Sequence, residues 1–185
     1  MDISSILIES KSIEKKSTWL HNSSVEIKEK NGITLIQQAQ NIQLGSYCPT
    51  IYSPPLQQKC LFKMTINSIY QRDRYLPFGI IDQKVFDASK KDCVLKAEGI
   101  IIHYAGYKSW GNLTGIKPLV SKDDPKGLCP GKEVFLEYVP QKSVRFYDKE
   151  NTIDLQRSLE GETGEFYLFV VPYTRSNSCT IEKLE

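Results

Sequence analysis

Tyr70, Arg72, Arg74 and Tyr75 fall within six residues, in the polar stretch from Tyr70 to Pro77. Tyrosine and arginine join large contact area to directional hydrogen bonds, which is why they dominate binding energetics at protein interfaces. Ala105 to Gly111 carries Tyr107, Lys108 and Trp110, and a third short stretch, Tyr173-Thr174-Arg175, has the same character. The chemistry on offer is surface recognition. Each stretch also has a structural reading, in which the arginines pair with Asp73 and neighbours and Trp110 plugs a core or rim.

Catalysis would need a constellation, and none is visible. Cys93 or Cys129 could pair with His103 as a thiolate couple, but the motifs that flank nucleophilic cysteines are absent. His103 sits between Ile102 and Tyr104, the setting of a partly covered strand histidine. Asp82, Glu133, Glu137 and Glu165 could form a hydrolytic carboxylate pair only through accidents of strand packing. There is no Gly-rich phosphate loop. The expectation is a protein that is not an enzyme and holds no cofactor. The five cysteines are odd in number and widely spaced, without a C-x-x-C pair, and His21 and His103 stand alone, so neither a disulfide framework nor a metal site is expected. Met1 to Glu9 has no basic leader, which points to the cytoplasm or another intracellular compartment.

These residues need a scaffold. The chain has 185 residues, enough for one domain with a real core; it is 40% hydrophobic and 25% charged, with a net charge of +2. No apolar run approaches a membrane span, and the lysines are spread out instead of clustered, so neither membrane nor nucleic acid is an expected partner. Residues 1–18 read as an appended arm, either a short helix, given the spacing of Ile3, Ile6 and Leu7, or a loose basic segment, given Lys11, Lys15 and Lys16 behind. From Trp19, expected as the first core residue, the period becomes two. Val25 to Glu29 and Ile33 to Ile36 flank Asn31-Gly32, a strong hairpin signal because both residues tolerate positive φ. Gly45 to Pro55, with three prolines, reads as a loop. Phe62, Met64 and Ile66 alternate with polar residues, and Phe78-Gly79-Ile80-Ile81 reads as a strand covered on both faces. Ile100 to Tyr104, the hairpin Val134 to Tyr147 turning at Pro140-Gln141-Lys142, Phe166 to Val171 and Cys179 to Leu184 complete the pattern. Ten to twelve strands with turn signals at intervals of roughly 8–12 residues predict an all-β sandwich or barrel over residues 19–185.

The hairpin VFLEYVPQKSVRFYD, Val134 to Asp148, resembles that of SPRY domains, with Leu136-Glu137-Tyr138 before the turn and Phe146-Tyr147 after it. CLFKMTI (Cys60 to Ile66), FGIID (Phe78 to Asp82), Ile102-His103-Tyr104 with Gly106 and Trp110, and GEFYLFVVPY (Gly164 to Tyr173) resemble further SPRY strands in the same order. The chain departs from that pattern in having Leu61-Phe62 where a tryptophan is usual, and a hairpin turn one residue longer and without glycine. The resemblance implies a two-sheet antiparallel, concanavalin-like β-sandwich with a short N-terminal arm or helix. It also implies non-enzymatic protein–protein recognition through loops at one end, as a subunit of a larger hetero-complex. Tyr70, Arg72, Arg74, Tyr75, Tyr107, Trp110, Tyr173 and Arg175 are the candidate partner-binding residues. Two other readings stand beside it: a lectin-like carbohydrate-binding module and a hydrolase.

Overall fold

The computed structural model describes residues 18–20, 25–39, 50–68, 75–82, 98–103, 106–110, 114–116, 131–150, 153–172 and 178–185. Among these there is no helix. Fourteen strands form two antiparallel sheets. The six-stranded sheet orders β1 (Thr18–Leu20), β4 (Thr50–Ser53), β13 (Phe166–Val170), β6 (Tyr75–Asp82), β7 (Glu98–His103) and β8 (Gly106–Trp110). The eight-stranded sheet orders β2 (Val25–Lys30), β3 (Ile33–Gln38), β14 (Ser178–Lys183), β5 (Cys60–Ser68), β10 (Glu133–Val139), β11 (Ser143–Tyr147), β12 (Asp154–Ser158) and β9 (Thr114–Ile116). The all-β, two-sheet sandwich expected from the sequence is the fold found.

Alternation builds the core. Cys60, Phe62, Met64 and Ile66 of β5, Val134, Leu136 and Tyr138 of β10, and Val144 and Phe146 of β11 all turn inward and are buried. Leu76, Phe78 and Ile80 of β6 and Phe166, Leu168 and Val170 of β13 meet them from the other sheet. Phe78 touches Phe146 edge-to-face across the interior at 6.1 Å, and Tyr138 meets Phe166 at 6.4 Å. Such contacts are favourable beyond the area they bury. Ile81 and Phe169, one residue out of phase with the core positions, are buried too, so β6 and β13 are covered on both faces as their apolar runs require.

Both hairpins read from the sequence are present. Asn31 and Gly32 adopt φ of 52° and 76°, and β2 and β3 pair in register from Lys30↔Ile33 to Val25↔Gln38. In the β10–β11 turn it is Gln141, at φ 57°, that takes the left-handed conformation, with the Lys142 amide donating to the Val139 carbonyl.

Other segments differ from expectation. The proline-rich stretch Gly45 to Pro55 is not all loop: Thr50–Ser53 is β4, wedged between β1 and β13. Its β-branched and aromatic Thr-Ile-Tyr suits a strand, and flanking prolines hid it. Tyr75, Leu76 and Pro77 open β6 instead of closing a loop; a proline near the start of a strand removes only one ladder donor. Ala105 to Gly111 is mostly β8, with glycines at its margins that mimic turn signals. β1, β9 and β12 are too short or too polar to show a clear period. The N-terminal arm up to residue 17, the short strand proposed for Asn41 to Leu44 and the loop Ser121 to Gly127 lie outside the described residues.

Candidate functional site

Strand direction alternates throughout, which sorts the connections onto two ends. β5 and β14 bring Ser68 and Ser178 together, their hydroxyls 2.9 Å apart, while β6 and β7 pair Tyr75 with His103. The connections 69–74, 104–105 and 171–177 therefore leave from this one end, the loop end. Tyr75 is the first residue of β6 there, and Tyr107 lies one position into β8, paired with Ile102. Tyr70, Arg72, Arg74, Tyr173 and Arg175 lie outside the described residues, but the strand ends that bracket them are at this end. Trp110 is separated from the group, at the far end of β8 opposite Gly99.

The opposite end holds a feature that no contiguous motif announces. Trp19 of β1, 7% exposed, donates its indole N–H to the Thr34 hydroxyl of β3 at 3.2 Å, fastening one sheet to the other. Tyr52 of β4 packs edge-to-face on Trp19 at 5.4 Å and on Phe62 of β5 at 5.6 Å. Against this aromatic row lie two neighbouring cavities that share a wall of Tyr52, Phe62 and Lys183. The larger, about 430 Å³, is bordered also by Trp19, Thr34, Ile181 and the hairpin from Glu29 to Gly32. The smaller, about 280 Å³, is bordered also by Pro54 to Gln58 and Cys60. Trp19 lies in the core, as expected from the sequence, but the groove is not legible there, since its lining comes from six separate strands.

Reactive groups are disarmed by their surroundings. Burial pushes the Cys60 thiol up to about 11 and the Cys179 thiol up to about 12, so both are protonated and inert near neutrality. Neither is in a disulfide. On the outer face of the eight-stranded sheet, Glu133 accepts from Lys149 at 2.7 Å and faces Lys63 at 3.7 Å, which holds its carboxyl below the usual range, the Lys149 hydrogen bond leading. Glu137 faces Lys59 at 3.9 Å. Arg145 grips Asp154 with two nitrogens, at 2.7 and 2.8 Å, depressing that carboxyl and raising its own guanidinium. Glu133 and Glu137 are thus matched with cations, not set against each other across a substrate gap as hydrolysis would need. Asp82 packs under Gly164 at the groove end. Cys93 and Cys129 lie outside the described residues. Phe135 and Tyr147, also on the outer face, stack on each other at 5.2 Å, with Lys149 over the first ring and Arg145 over the second. Among the described residues no three of His, Cys, Asp and Glu cluster to hold a metal.

No family model matches the sequence, and no curated protein matches it in sequence. Solved structures do match the fold. The SPRY domain of human HERC1 aligns over 88% of this chain and 96% of its own length, with TM-score 0.52 and 9% identity. The TRIM65 PSpry domain aligns over 89% of this chain and 87% of its own, with TM-score 0.53 and 9% identity. Lectin I-B4 from Griffonia simplicifolia aligns over 95% and 94%, with TM-score 0.50 and 9% identity. Stonustoxin is also similar, but this chain spans only 28% of the length of that one. The likeness is one of architecture: the chain has a SPRY-like β-sandwich, on the two-sheet plan that lectins share.

Proposed function

We propose that this chain is a non-enzymatic recognition module that binds a partner protein or peptide through an end of the sandwich, as a subunit of a larger intracellular complex. The observation that supports this most is the register around Ser68–Ser178 and Tyr75–His103. The strand ends that it brings to one end bracket the segments whose sequences hold Tyr70, Arg72, Arg74, Tyr173 and Arg175. Sheets that fix loop positions while loops vary in sequence suit recognition. The net charge of +2 favours neither nucleic acid nor a lipid surface as the partner. The matched carboxylates and protonated thiols favour binding over turnover.

Affinity purification of the tagged full chain from its native cell, read by mass spectrometry, tests this reading. Arg74→Ala is expected to lose the protein captured by the parent chain while the melting temperature holds. Retention of every partner by Arg74→Ala, Tyr70→Ala and Arg175→Ala would remove the loop end from consideration. Binding on a glycan array with no protein captured would replace the reading with the lectin-like one.

A further inference from the structure

We infer that the Trp19–Tyr52–Phe62 groove binds a short extended peptide in which an apolar side chain adjoins one or more carboxylates. This deepens the recognition reading and rests on it, but places a ligand at the end away from the arginine-bearing connections. Cavities of 430 and 280 Å³ fall within or near the range of small-ligand sites, and their shared wall suits a chain that lays successive side chains into each. The floor is apolar and fixed: Phe62 is 1% and Ile181 2% exposed.

Charge selects the ligand. Lys28, Lys59, Lys63, Lys132 and Lys149 all face carboxylates of this chain. Lys30 and Lys183 are exposed, line the groove, and have no carboxylate partner among the described residues. Among the described residues Glu29 is the one acidic residue on the lining, against Lys30 and Lys183, so this part of the rim carries an excess of positive charge. An incoming carboxylate would complete what the rest of the sheet already has. The amides of Asn31, Gln57 and Gln58 can meet a peptide backbone, and Pro54 and Pro55 keep the rim from rearranging, which limits the ordering cost of binding. A sugar is disfavoured because stacking needs an open aromatic face, whereas Trp19 and Phe62 are almost wholly covered and Tyr52, the one partly exposed ring, is packed edge-to-face between them.

Selection of a random heptapeptide display library on the full chain, followed by fluorescence polarisation with the synthesised winners, tests the inference. The winners should combine acidic with aromatic or branched apolar residues. Lys183→Glu should weaken them by about tenfold or more, as expected for reversing a charge that faces a ligand charge, and added salt should weaken them too. Lys142→Glu, which reverses an exposed lysine off the groove lining, should leave affinity unchanged, and all variants should melt with the parent. Winners without acidic residues, or equal binding by Lys183→Glu, would overturn the groove assignment. If binding responds to Arg74→Ala and not to Lys183→Glu, the groove fails while protein recognition stands. If no peptide is enriched and no partner is captured, both fall.

Discussion

At the loop end the candidate contact residues belong to connections between strands, or to strand starts such as Tyr75. At the groove end Trp19, Lys30, Tyr52, Phe62 and Lys183 project from paired strands of both sheets, and the Trp19–Thr34 hydrogen bond ties the sheets together beside them. The difference concerns what a substitution can do. A loop residue is free to change without disturbing the ladder, so affinity there can be altered with stability intact. A strand-borne aromatic serves the core and the surface together, so its loss is felt in both.

That contrast can be broken or sharpened experimentally, beginning with the interior that both ends share. Phe146 is fully buried and touches Phe78 across the sheets. Phe146→Ala is expected to cost about 3–5 kcal/mol in urea unfolding and to weaken both ends through unfolding. A cost below about 1 kcal/mol would mean the sheets are not closely packed there. At the groove end, Trp19→Phe keeps most of the aromatic bulk but leaves the Thr34 hydroxyl without its donor, at a cost of about 1–2 kcal/mol. Hydrogen exchange should quicken in β1 and β3 and not around Ser68; uniform quickening would erase the distinction between the ends. At the same end, a methyl group on Gly164 would run into the Asp82 carboxylate. Because what the methyl meets is the outer end of a half-buried side chain, Gly164→Ala should cost at most about 1 kcal/mol in urea unfolding, and a cost above about 2 kcal/mol would show that Asp82 is held fast.

The smallest effect near neutrality concerns the thiols. At pH 8, iodoacetamide should leave Cys60 and Cys179 unmodified in the folded chain and modify both in urea. Their folded values, about 11 and about 12, exceed the ordinary 9.0, so the folded state holds these protons more tightly. Stability is then untouched below pH 9 and falls as the pH rises from there toward 12. Modification of Cys60 at pH 8 would show that the smaller cavity opens to reagents.

Much of the fold was readable because it depends on local period. Phe62, Met64 and Ile66 alternate over a half-buried strand, and Asn31-Gly32 has few conformations other than a tight hairpin. β4 and β8 were missed because proline and glycine at their margins outweigh three or four strand-forming residues in any short window. The candidate residues at the loop end stand out in the sequence because arginine and tyrosine lie close together there. The groove was not, since Trp19, Tyr52, Phe62 and Lys183 are far apart along the chain and converge only through pairings such as Trp19↔Tyr52 and Lys183↔Phe62. Lone lysines look alike in a sequence; only the register shows which have found a carboxylate.

β2 is an outermost strand of the eight-stranded sheet, and its six residues are Val-Glu-Ile-Lys-Glu-Lys. Glu26 is held by Lys28 at 2.8 Å and by the Gln37 amide at 2.7 Å, and Glu29 and Lys30 stand in solvent. A second copy adding itself along this margin would have to strip water from that row of charge for a few main-chain bonds. Concentrated solutions should accordingly resist end-on growth into fibrils from this side, and replacing Lys28 and Lys30 with valine should remove that protection.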